Sequence, residues 1–491
     1  MAEQEAPKAP GRPHGGMDLT KGPIAKTLLL FSLPTLGSSI LQSLNASINA
    51  VWIGQFLGEK ALAATTNANL VMFLLIAAVF GFGMAATILI GQNMGRRDID
   101  MVRRVLGSAF GLFAVISLVT VIVGLLAAPV LLRLLATPAD VTPLALAYIR
   151  PIFVAMLPGF LSVLLTMALR GTGDSLTPLK FMALGSFFDV ILNPVFILGL
   201  AGMPRLGIEG SAVATLIANS IALTSLITYI YARDLTIRLR GPELRYLIPR
   251  ADLVRLIVAK GFPMGLQMLV VSISALAMIG LVNRHGTSTT AGFGAANQLW
   301  TYIQMPAMSV GAGVSAMVAQ NIGAGLWARV DRITWAGIVM NCALTGALLL
   351  ILTLLDRHVL WLFLGSHDEA IDIAVRMNLI AGWSFIMFGI SLVLAATVRA
   401  NGAVLGPLII LAIALLPVRI GLAATFDPSW GSDAIWWSFP AGSLASLAMT
   451  VAFYLHGGWR KLHLVPAKSE IEVEEETLAD CDATGKAAPI G

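Results

Sequence analysis

Charge is scarce in this chain. Asp, Glu, Lys and Arg make up 12% of its 491 residues, while hydrophobic residues make up 57%. Soluble domains carry about twice that charge, so a large soluble core is excluded and a polytopic membrane protein is the default. Cysteine is nearly absent as well. Cys342 lies in an apolar run and Cys481 in a polar tail, which excludes a disulfide framework. The six histidines are scattered through tails, loops and the ends of apolar runs. No HExxH, nucleophile elbow, Walker motif or CxxC pair occurs, so no enzyme chemistry, metal-ligand cluster or organic cofactor is indicated. The first 20 residues show no short apolar region with a cleavage site, and no cleavable signal peptide is expected. The net charge of +5 does not indicate nucleic acid, because the basic residues lie in short gaps between apolar runs, where they set topology.

Long apolar runs are what the chain has in quantity. A bilayer core needs about 20 apolar residues per helix. On that ruler there are twelve candidate spans, at 25–54, 63–93, 105–132, 143–169, 178–201, 208–232, 253–283, 291–322, 331–355, 370–397, 405–425 and 435–457. The expected organisation is a disordered N-terminal tail (1–20), a six-helix lobe (21–232), a polar linker (233–252), a second six-helix lobe (253–461) and an acidic disordered tail (462–491). Lys and Arg gather in alternate gaps, at Arg96, Arg97, Arg103, Arg104, Arg170, Arg233, Arg238, Arg240, Arg329, Arg399 and Arg460 among others. That side is expected to be cytoplasmic, with both termini on it.

The chain is also written twice. Arg170-Gly171-Thr172-Gly173 followed by Leu176 and Pro178 is matched, 229 residues on, by Arg399-Ala400-Asn401-Gly402 followed by Leu405 and Pro407. Gly91-Gln92-Asn93-Met94-Gly95 is matched by Ala319-Gln320-Asn321-Ile322-Gly323, Pro34 by Pro263, and Asn69 by Asn297. Six helices per copy is an even number, so both copies enter from one side and the repeat is parallel. The fold class expected is an all-α polytopic membrane protein of two six-helix lobes around a central cleft, which is a transporter architecture.

Four further elements occur in order: Gly91-Gln92; Arg170, Gly171, Gly173, Asp174 and Pro178; Leu192-Asn193-Pro194 before Ile197 and Gly199; and Pro204, Leu206, Gly207, Ile208, Gly210, Ala212, Ala214 and Thr215. With them the chain resembles the MATE (multidrug and toxic compound extrusion) family over about residues 20–460, closer to its DinF-like than its NorM-like pattern. The resemblance implies a cation-coupled antiporter, driven by H⁺ or Na⁺. It would export small organic, cationic or amphipathic compounds across the cytoplasmic (inner) membrane by alternating access, working as a monomer in contact with membrane lipid.

A charge inside a span is a functional candidate, because it is costly there unless paired or hydrated. Asp189 lies in the middle of span five, with Asn193 one turn on. Gln42, Asn45 and Asn49 form a polar stripe in span one, and Ser211, Thr215 and Asn219 another in span six. DinF-like relatives place their ion-coupling cluster on these three helices, at positions matching Asn49, Asp189, Asn193 and Thr215. Here, though, both Asp positions of that branch are Asn, and its Asn position is Asp189. The expected coupling site is therefore Asp189 with Asn193, Asn49, Thr215 and Asn45, able to take a proton or a Na⁺ ion. No acid is expected deep in spans seven to twelve, and Val271 stands near the position where NorM-like relatives carry Glu.

Asn69 and Asn297 are candidates for facing each other across the cleft, with Trp300, Tyr302 and Met305 as an adaptable apolar wall for flat cations. Each of these side chains has an alternative as ordinary helix packing or interhelical hydrogen bonding. Two rival functions stand beside the antiporter. One is a flippase for a lipid-linked precursor, which calls for a strongly cationic cavity. The other is a non-transporting membrane enzyme or scaffold, which calls for clustered catalytic residues or soluble domains.

Overall fold

A computed structural model describes residues 16–134, 137–138, 141–365 and 368–461; the C-terminal acidic stretch and residues 1–15 lie outside them. Apart from turns and short connections the described residues are helical, with no strand among them. The order is α1 (Ile24–Leu57), α2 (Glu59–Arg96), α3 (Ile99–Leu134), α4 (Thr142–Gly171), α5 (Leu176–Leu198), α6 (Ile208–Ala232), α7 (Ala251–Val282), α8 (Thr287–Gly323), α9 (Trp327–Leu364), α10 (Asp368–Ala381), α11 (Ser384–Ala400), α12 (Leu405–Ile413), α13 (Gly421–Trp430) and α14 (Ser432–His456). Among the described residues ten spans pass as membrane-crossing by length and composition, or eleven when the bent pair α10–α11 is one span. The remaining long helix, α8, has 37 residues but is diluted by Thr, Gln, Asn and Gly, and falls short on hydropathy rather than length. The protein is an all-α polytopic membrane protein.

Prolines and glycines shape the spans as their chemistry requires. Pro417 lacks a backbone donor, and the chain around it, Ala414–Ile420, widens into a π-helical turn that joins α12 to α13. The Ser274 hydroxyl of α7 donates to the Leu415 carbonyl in this turn at 3.3 Å. Span ten breaks between α10 and α11, bending by 47°. The matched glycines of the repeat motif, Gly173 and Gly402, have φ of 94° and 88°, so both turns need a residue without Cβ. After the first turn, Asp174 accepts the backbone N–H of Thr177 at 2.9 Å and starts α5.

The two halves pack alike. In the first, α2 lies on α3 and α4, and α6 packs on α4 and α5; in the second, α8 lies on α9 and α11, and α14 packs on α11 and α13. Across the halves α2 meets α7 and α8, while α1 meets α8. Membrane helices associate through close packing of small residues rather than through hydrophobicity, and the seam follows that rule. A Cβ on Gly81 would lie 2.4 Å from the Gly261 carbonyl oxygen, and one on Gly91 would lie 2.9 Å from the Ala319 Cβ.

Hydrogen bonds tie the two halves together at the arginine-rich end. Gln92 donates to the Ala400 carbonyl at 2.7 Å and Gln320 to the Gly171 carbonyl at 2.9 Å. The seam is therefore closed at that end. Residues 16–20, expected in a disordered tail, are placed against this closure, and Leu19 is fully buried. In sequence they resemble a tail because the stretch is short, polar and precedes the first apolar run. The linker is also folded. Its 3-10 turn Gly241–Leu247 lies on α3, where Arg103 pairs with Glu243 at 2.6 Å and Gly107 leaves room for the Tyr246 backbone.

Candidate functional site

Helical spacing assembles the polar cluster of the first half. Asp189 and Asn193 are one turn apart on α5, and Asn45 and Asn49 one turn apart on α1, so each pair lies on one face of its helix. With α5 packed on both α1 and α6, the five side chains meet. Asp189 Oδ2 accepts from Asn45 Nδ2 at 2.8 Å and from Asn49 Nδ2 at 2.7 Å. Its Oδ1 accepts from the Thr215 hydroxyl at 2.9 Å and from Asn193 Nδ2 at 3.3 Å. Asn193 also donates to Asn49 Oδ1 at 3.0 Å. The carboxylate is 3% exposed and Asn193 is fully buried. Four donors on one carboxylate supply the charge-assisted bonds that compensate an anion for lost water.

The Thr215 hydroxyl has a second acceptor within reach, the Ser211 carbonyl at 3.2 Å. A hydroxyl has one proton to donate and lone pairs to accept. A proton arriving on Oδ1 can thus be donated to Thr215 Oγ1 while the Thr215 proton turns to Ser211. The site can bind a proton with no heavy atom displaced. A bare cation asks for more. The amide groups of Asn45, Asn49 and Asn193 present nitrogen to the carboxylate, whereas Na⁺ takes oxygen. Asn45 Oδ1 and Asn193 Oδ1 are buried without a hydrogen-bond partner, so rotating those two amides would supply oxygens beside Asp189.

The other candidates fall elsewhere. Asn69 and Asn297 are exposed, as is Tyr302. Trp300, expected as cleft wall, is 1% exposed and belongs to the apolar interior of the second half, while Met305 is 9% exposed. Trp300 packs against Phe293, Phe385 and Phe439, with ring centroids 4.8–6.3 Å away. Arg376 pairs with Asp433, and the Arg419 guanidinium stacks 3.5 Å from the Phe439 ring centroid.

Two features escaped the sequence reading. Tyr148 on α4 is buried within electrostatic reach of Asp189. The second is an acid inside the second half, where none was expected. Asp356 on α9 is 6% exposed and accepts from Asn378 Nδ2 at 2.8 Å, and Asn378 Oδ1 accepts from Trp300 Nε1 at 2.9 Å. The apolar run of span nine ends at residue 355, one short of it.

The MatE family model matches residues 34–195 and again 263–425. The chain belongs to the MATE family. The two matches begin 229 residues apart, at the prolines Pro34 and Pro263 that the repeat had aligned. A relative named as the probable multidrug resistance protein YoeA, from Bacillus subtilis (strain 168), is 33% identical over 437 residues, or 89% of this chain and 94% of the relative. A second, YpnP of the same organism, is 29% identical and covers 92% and 99%. Among solved structures, a MATE protein in complex with MaD3S superposes with a TM-score of 0.84 at 20% identity, covering 92% of this chain and 100% of the other. MATE membership makes the chain a multi-pass transporter of the multidrug efflux type, a class that is not enzymatic.

Proposed function

We propose that this MATE transporter is a proton-coupled antiporter that exports small organic, cationic or amphipathic compounds through the cytoplasmic (inner) membrane. Its arginine-rich end would face the cytoplasm, by the distribution of Lys and Arg. On that orientation the closed seam makes the described state an outward-facing one. The observation that carries the coupling reading is the bonding of Asp189. All four of its partners are N–H or O–H donors, and Thr215 has the spare acceptor that a proton requires. Protonation would cancel the charge that holds α1, α5 and α6 together. Loading a proton from outside would then weaken the tie between these helices and shift the lobe toward its other shape.

Na⁺ coupling is the second reading, favoured by the orphaned oxygens of Asn45 and Asn193. The two separate in inverted membrane vesicles. An imposed pH gradient without Na⁺ should drive uptake of a fluorescent organic cation, and a Na⁺ gradient at equal pH should not. The reverse result assigns the site to Na⁺. No cation uptake under either gradient would favour the flippase reading instead.

A further inference from the structure

The segment before α1 makes contacts that transport, as described so far, does not use. The Met17 N–H donates to the Gly173 carbonyl at 3.2 Å, in the repeat turn of the first half. The Leu19 N–H donates to Gln320 Oε1 at 3.2 Å, and the Leu19 carbonyl accepts from Asn321 Nδ2 at 3.0 Å, both on α8 of the second half. Arg329 on α9 donates to the carbonyls of Lys21 and Gly22. Both backbone groups of a fully buried residue of one half are thus satisfied by amides of the other. Gln320 spends its remaining end on the Gly171 carbonyl, so strap, α4 and α8 meet at one side chain.

We propose that Gln320 and Asn321, with Gly171 and Gly173, form a binding site for the chain's own residues 17–22, and that its occupancy locks the arginine-rich end shut. The proposal rests on the antiporter reading for its purpose and on the contacts above for its geometry. Opening this end moves α8 away from the end of α4 and breaks the Gln320–Gly171 bond. Leu19 would then keep neither partner, and a buried backbone pair without partners is not tolerated. The strap must leave its seat each time the transporter opens toward the cytoplasm. Its ligand is a short turn of backbone with Leu19 as its buried apolar side chain, supplied in cis by residues 17–22 just before α1.

The test uses full-length purified protein with Cys342 and Cys481 replaced by Ser and a reporter cysteine at Ser32. Ser32 is 4% exposed and faces Gly313 of α8 across the seam. Its rate of labelling by a water-soluble maleimide reports opening. Leu19→Asn and Asn321→Leu should each raise that rate by about fivefold or more, the scale of one or two buried hydrogen bonds, while Leu19→Met leaves it unchanged. Asn321→Leu lies outside the strap, so it reads the lock even where Leu19→Asn folds poorly. Unchanged labelling in both overturns the lock. Labelling needs no substrate, so a failure of gradient-driven transport rejects the antiporter reading without altering this result.

Discussion

Gln92 and Gln320 occupy matched places in the two repeats, and each donates to the carbonyl that ends the opposite repeat's fourth span. Gln92 reaches Ala400 at 2.7 Å and Gln320 reaches Gly171 at 2.9 Å. Ala400 and Gly171 are themselves repeat partners, so the pseudo-twofold axis passes between two reciprocal hydrogen bonds. The Gly-Gln element of the sequence therefore has a physical role: glycine lets the helices approach, and glutamine spans the gap.

Replacing Gln92 with Leu leaves the Ala400 carbonyl buried without its donor, a loss of about 1–3 kcal/mol. Gln320→Leu should cost more, because Gln320 also accepts from Leu19. Thermal unfolding in detergent checks this: both variants should melt below wild type, Gln320→Leu lowest. Equal melting of all three would contradict the pairing.

Glycine at two seam positions is a steric requirement. A Cβ on Gly95 would fall 1.9 Å from the Gln320 carbonyl oxygen, and one on Gly323 equally close to that of Gln92. Gly95→Ala and Gly323→Ala must each push α2 and α8 apart, at a cost of roughly 1–3 kcal/mol. Cross-linking yield between cysteines placed on α2 and α8 near these positions should fall in both variants. Wild-type yields would show that the seam adapts.

The Asp356–Asn378–Trp300 chain is directional. Trp Nε1–H can only donate, so Asn378 must turn its oxygen to Trp300 and its NH₂ to Asp356. Asp356→Ala strands the Asn378 donor and should destabilise the second half by about 1–3 kcal/mol. Its effect should appear in melting temperature and in the amount of folded protein, with the ion preference of transport unchanged. A changed ion preference would make Asp356 part of the coupling machinery.

The strap brings a pH dependence of its own. Partial burial pushes the Asp18 carboxyl up, but the Thr20 hydroxyl and N–H, Lys21 and Arg97 more than offset it, leaving it below its ordinary 3.8. A lowered folded value means the stabilisation is fully present above pH 3.8 and is lost as the pH falls through the lowered value. Asp18→Asn should therefore lower stability at neutral pH, with the difference from wild type shrinking below pH 3.8 and vanishing once the pH is under the lowered folded value. A difference that persists there would place the effect of Asp18 outside its charge.

Much of this was legible because bilayer solvent imposes simple rules. Apolar runs marked the spans, and the recurrence of Arg170-Gly171 as Arg399-Ala400 marked the repeat, whose helices pack alike in the structure. Asp189 and its partners were legible through helical spacing on α1, α5 and α6, since a lone acid in an apolar span must find donors. Trp300 was misplaced because an aromatic side chain looks the same in sequence whether it faces a cleft or a core. Asp356 was missed because hydropathy ended its span at 355, while helix α9 runs on to Leu364. The strap could not be read at all: its contacts are made by backbone groups, which every residue carries.

The measurement that bears most directly on the central claim is vesicle uptake of a fluorescent cation by Asp189→Asn beside wild type, under a pH gradient. Asn keeps the shape of the side chain and can accept from Thr215, but it cannot take a proton. The account predicts that the variant folds, binds the cation and loses gradient-driven uptake, by roughly tenfold or more. Uptake at the wild-type rate would contradict it and leave Asp189 as a tie between α1, α5 and α6.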